Sequence, residues 1–155
     1  MSGVLRFCYL LALGVWIGQV IFFSFVVAPL VFGVLGPGRA GDVVGAIFPR
    51  YYAVGMGAAA TAVATGVLLA RRATVPGLWN GAVLVLALGL AATVVAGAVV
   101  HPRAQALRAT LHAAGQEPGS DPAFRRAHGI AVALNGATLL AGLAALGLSA
   151  AALRQ

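Results

Sequence analysis

The chain has 155 residues, 61% of them apolar and only 8% charged, with a net charge of +7. A soluble domain needs roughly three times that share of charge to cover its surface. With a mean hydropathy of +0.99, the composition excludes an ordinary water-soluble fold, leaves no room for a second domain, and predicts an all-α integral membrane protein.

Charge placement divides the chain. All ten basic residues are arginine. An isoelectric point near 11.4 would suit nucleic acid. The arginines, however, sit at the ends of apolar runs, where they meet lipid headgroups, so membrane lipid is the expected partner and nucleic acid is not. No charge falls between Arg6 and Arg39, Arg50 and Arg71, Arg72 and Arg103, or Arg126 and Arg154. One charge at mid-bilayer costs about 2.5–3.5 kcal/mol, so four such gaps predict four spans. The single cysteine, Cys8, allows no intrachain disulfide.

The first apolar run, from about Val4 to Leu35, is too long for a cleaved signal and predicts a retained helix bent at Pro29. Gly36-Pro37-Gly38 ends it. Residues Ala40 to Phe48 predict a short interfacial connector, or an interfacial turn of helix, closed by Pro49. Arg50, Tyr51 and Tyr52 then form an interfacial anchor opening helix two, about residues 50–70. Arg71-Arg72 and Pro76-Gly77 make the next turn, and helix three spans about residues 77–100. His101-Pro102 marks a kink or restart. Beyond it, His101, Gln105, Arg108 and His112 share one helical face, within an arc of about 60°. Asp121 is placed to N-cap helix four, about residues 122–153, with Pro122 in its first turn. The expected architecture is a four-helix membrane bundle, a single domain, with a short interfacial segment between helices one and two.

An even number of spans puts all three histidines and all three acids on the same side as Arg39, Arg50, Arg103, Arg108, Arg125 and Arg126. The larger arginine count favours this side as cytoplasmic. Arg50, Arg103, Arg108, Arg125 and Arg126 form a candidate basic mouth that would attract anions and headgroups.

Helix four carries His128, Ala131, Asn135, Thr138, Gly142, Ala145 and Ser149 at alternating steps of three and four. In lipid such a small and polar stripe reads either as a packing seam or as the wall of a polar pathway beginning at His128. Helix two has a similar stripe from Tyr52 to Gly66, and helix one has Gly14 and Gly18. Gln19, the one amide in helix one, must face another helix, and Asn135 is a reasonable partner. His101 and His128 are the candidate metal or haem ligands, although no pair of histidines has a compact ligand spacing. Nucleophile elbow, phosphate loop and intramembrane carboxylate pair are all missing, so the chain reads as a non-enzyme.

The pattern Gly18, Phe22, Phe23, Pro29, Phe32, followed by Ala40-Gly41 and Phe48-Pro49-Arg50-Tyr51-Tyr52, resembles the transmembrane protein 205-like family. Phe124, His128-Gly129 and Asn135 carry the resemblance into helix four. It implies a four-helix membrane fold of undetermined activity and singles out Pro29, Phe48, Pro49, Tyr52, His128 and Asn135.

Three functions follow as expectations. The first is a small homo-oligomeric permeation or transport bundle for a small solute or ion, with no cofactor, entered at the arginine-rich mouth and with its polar path along His128 and Asn135; Gln19, Pro29, Phe48, Pro49, Tyr52 and Thr138 are further pathway or pocket candidates. The second is a haem- or transition-metal-binding membrane protein using His101 and His128. The third is a non-catalytic assembly or scaffold protein. In a prokaryote each would sit in the cell inner membrane.

Overall fold

The structure is a computed structural model describing residues 2–154, and it is helical almost throughout. Its long helices are α1 (Ser2–Phe22), α2 (Ala28–Ala70), α3 (Gly77–Val95), α4 (His101–Ala113) and α5 (Pro122–Ala152). Two π-type turns, Phe23–Val27 and Ala96–Val100, join α1 to α2 and α3 to α4 without a break. Each lies just upstream of a proline, Pro29 or Pro102. Proline lacks an N–H and its ring clashes with the carbonyl four residues back; a wider turn moves that carbonyl away. At these two sites the helix therefore continues past the proline instead of restarting. Helix three thus continues through the polar-faced segment after His101-Pro102 to Ala113.

Three continuous stretches are long and apolar enough to cross a membrane: Gly3–Ala70, Gly77–Ala113 and Pro122–Ala152. The first folds back on itself at Gly36, where φ is +70° and ψ is 167°. Only glycine adopts that backbone conformation without strain. Contacts on either side run antiparallel: Gly66 packs on Tyr9, Gly55 on Gln19, and Phe48 on Phe23. Of the two forms expected for residues 40–48, connector or turn of helix, the structure has helix. Pro49 lies inside α2 instead of closing a loop.

The same reading of contacts orders the rest. Gly66, Gly55 and Gly45 of α2 face Val83, Thr93 and Gln105 in turn. Gly81 and Gly89 of α3 face Leu148 and Ala141 of α5, and Ile17 of α1 faces Gly142. Each neighbouring pair is antiparallel. The loop before α5 forms as its residues require: Gly115 takes φ +66°, and Asp121 accepts a hydrogen bond from the Phe124 N–H at 2.8 Å.

The interior is built largely of small side chains. Ala59, Ala62, Ala82 and Ala145 are fully buried, around a few large ones: Tyr9, Leu13, Trp16 and Leu86. Large apolar side chains such as Phe7, Phe25, Leu84, Leu88 and Leu140 point outward. Small inside and large outside suits helices that pack closely and present their bulk to lipid tails. These long apolar helices indicate an integral membrane protein.

Candidate functional site

Polar side chains converge midway along the helices. Tyr51 donates its hydroxyl to Asn135 Oδ1 at 2.6 Å, and Asn135 Nδ2 donates to Ser24 Oγ at 2.9 Å. The Thr93 hydroxyl donates to the Gly89 carbonyl at 2.9 Å, so in its 3.3 Å pair with Thr138 the latter is the donor. This girdle ties the π turn after α1 to α2 and α3 through α5, using groups that apolar surroundings cannot satisfy.

Inside it lies a cavity lined by Trp16, Gln19, Tyr52, Thr93, Asn135 and Thr138, among others. It offers about 10 Å³ to the centre of a water molecule, which is room for one water at most. Trp16 is 1% exposed, and no protein acceptor among the described residues reaches its indole N–H. A buried donor left without a partner costs about 1–3 kcal/mol. The expected pairing of Gln19 with Asn135 does not form. Asn135 is held by Tyr51 and Ser24, while the Gln19 amide lies over Gly55, where a Cβ would come within 2.5 Å of it. Both residues nevertheless line the same cavity.

An aromatic layer borders the girdle. Phe48 packs against Phe23, Tyr51, Tyr52 and His101, with ring centroids 5.2, 5.9, 5.5 and 5.3 Å away. Tyr52 is buried against Gly97 of the second π turn, where a Cβ would fall 2.7 Å from its ring. His101 thus belongs to an aromatic cluster, whereas His128 is exposed and stacks on Phe124 at 6.5 Å. The two share no ring partner. No group of three His, Cys, Asp or Glu among the described residues is placed to hold a metal.

The basic mouth is also divided. Arg50, Arg103 and Arg126 are exposed, as is Arg125, which donates to the Ser120 carbonyl at 2.6 Å. Arg108 is buried. Its guanidinium is 3.1 Å from Asp42 Oδ1 and donates to the Gly38 carbonyl at 2.5 Å. It lies flat on Gly41, as Gln105 lies on Gly45; a side chain on either glycine would collide with them. Arg108 is therefore a clasp between α4 and the first turns of α2 beyond Gly36, and not part of an open mouth.

The helix-four stripe turns inward along most of its length. Thr138, Gly142, Ala145 and Ser149 are buried, and Ser149 hydrogen-bonds Tyr9 at 2.5 Å. Its first member, His128, lies outside. The small residues of α2 from Gly55 to Gly66 are likewise used within the chain, while Gly14 and Gly18 face open space. Pro29 and Pro49 are exposed on the helix surface.

Residues 11–113 match the family described as Domain of unknown function (DUF4149). The chain belongs to this family. No curated protein and no solved structure matched the chain. The DUF4149 segment contains Trp16, Gln19, Ser24, Tyr51, Tyr52, Thr93 and the Arg108 clasp, and it ends before Asn135 and Thr138. So the family segment supplies three sides of the girdle and α5 supplies the fourth.

Trp16, Ser24, Thr93 and Asp42 are site residues that the sequence reading did not single out. Ser24 and Thr93 carried a usable signal: each is the one serine or threonine in a long apolar run.

Proposed function

We propose that this DUF4149 protein crosses the membrane four times and acts as a small permeation or transport bundle, with the polar girdle as its closed constriction. One observation carries the reading. The Trp16 indole N–H, buried and without a protein acceptor among the described residues, lines a cavity ringed by the amide and hydroxyl groups of Gln19, Tyr52, Asn135 and Thr138. Polar groups held inside an apolar bundle around a cavity mark solute paths in membrane proteins. The donor of Trp16 would accept partnership from a passing solute. The girdle carries no charged side chain to compensate an ion's charge, which favours a small neutral solute. The transmembrane protein 205-like resemblance is compatible with this and names no substrate.

The test is flux into liposomes holding the purified protein, screened with small neutral solutes and with ions. Asn135→Leu and Trp16→Phe should each lower the parent's solute flux about tenfold, the equivalent of about 1.4 kcal/mol. His128→Ala, outside the girdle, should leave it unchanged. A solute flux that ignores both girdle variants would exclude this path.

A further inference from the structure

A second cavity lies at the opposite end of the molecule from the clasp, where the start of α1, the turn after α2, the start of α3 and the end of α5 meet. It offers about 280 Å³ to the centre of a water molecule and is lined by Arg6, Arg72, Thr74, Trp79, Leu5 and Val75, among others. Arg6 and Arg72 come from different elements and are both exposed. Among the described residues neither has an ion pair or a side-chain hydrogen bond.

Charge at this end is uncompensated. Arg6, Arg71, Arg72 and Arg154 gather here, while Asp42, Glu117 and Asp121 all belong to the other end. The cavity wall contains no acid. Two arginines in one cavity wall suit a phosphate, whose oxygens accept guanidinium N–H donors. The Thr74 hydroxyl adds a further donor.

The rest of the wall decides which phosphate. Leu5 and Val75 give the cavity an apolar side, and Val4 (69% exposed) and Leu68 (42%) next to it in sequence present bare hydrocarbon. A free phosphate ion would gain nothing from that surface, whereas a lipid places its headgroup on the arginines and its acyl chains along it. The cavity also opens where the apolar helices end, the level at which headgroups lie.

We propose that this cavity is a binding site for the phosphate headgroup of an anionic lipid, held by Arg6 and Arg72. The proposal does not depend on transport: a bundle that carries nothing would still hold the lipid, and a flux assay in neutral lipid probes the girdle alone.

The experiment measures the thermal midpoint of the detergent-purified chain with added phosphatidylglycerol, phosphatidylcholine or inorganic phosphate. Native mass spectrometry counts the lipid retained. Phosphatidylglycerol should raise the midpoint saturably and stay bound one per chain, with phosphatidylcholine and inorganic phosphate giving little shift. Arg6→Gln with Arg72→Gln should abolish both effects, while Arg71→Gln, outside the cavity, should keep them. An equal loss in Arg71→Gln would show diffuse charge attraction and overturn the site. An equal shift with inorganic phosphate would overturn the lipid assignment. Should the double variant fail to purify, a parent that retains no anionic lipid would overturn the proposal by itself.

Discussion

Asn135 shows how one residue type can be read correctly and its partner wrongly. An amide in a long apolar run must find hydrogen bonds, and this follows from desolvation alone. Which groups provide them depends on how far each neighbouring helix is rotated and displaced, which a single sequence does not encode. Gln19 and Asn135 do line one cavity, but the hydroxyls of Tyr51 and Ser24 reach Asn135 first. A double-mutant cycle on Tyr51→Phe and Asn135→Leu should give a coupling of about 0.6–1.7 kcal/mol, the range found for hydrogen bonds between membrane helices. Reversible unfolding in mixed micelles measures it. A coupling indistinguishable from zero would mean that the 2.6 Å contact contributes nothing to stability. Arg108 teaches the same lesson about charge. In the sequence it is one of several arginines near a boundary; in the fold it is buried over Gly41 and held by Asp42.

At the scale of the elements, apolar runs and their bounding charges made the helices legible, and glycine made the reversal legible. Gly36 has the positive φ that the Gly-Pro-Gly sequence announced. Proline was the misleading signal. Pro49 read as the end of a connector and Pro102 as a kink or restart, yet the helix runs through both, past Pro102 by way of the π turn before it. The contacts past Pro102 are specific: Gln105 and Arg108 lie against Gly45 and Gly41, so the polar face of α4 has a glycine-lined track to rest on. Two substitutions separate turn from track. Gly36→Ala forces a side chain into a backbone region that is nearly glycine-only and should cost about 1–3 kcal/mol. Gly41→Leu has no conformational penalty but displaces the Arg108 guanidinium from Asp42. It should make residues 101–113 open to hydrogen exchange while the girdle amides stay protected. Uniform loss of protection across the chain would mean that the clasp and the bundle unfold as one unit.

The whole molecule is longer than a bilayer is thick. The 37 residues of Gly77–Ala113 extend roughly 55 Å at about 1.5 Å per residue, against a hydrocarbon core of about 30 Å. The excess can only lie at the end where α4 carries its polar face, because α3 is apolar from Leu78 to Val95 apart from Asn80 and Thr93. So α4, with the clasped turns of α2, should stand in the headgroup and water layer, on the same side as Arg126. With Cys8 replaced by Ala, single cysteines at exposed positions Ala109 and Ala123 should react with a membrane-impermeant maleimide from one face of the membrane. A cysteine at Leu88, exposed on the apolar face of α3, should react from neither. If the arginine-rich end is cytoplasmic, Ala109→Cys and Ala123→Cys label in inverted vesicles and not in intact cells. Labelling of these two positions from opposite faces would break the antiparallel arrangement of the α3–α4 helix against α5 that brings Thr138 to Thr93. The girdle would then lose the side that α5 supplies, and with it the enclosed cavity on which the permeation reading rests.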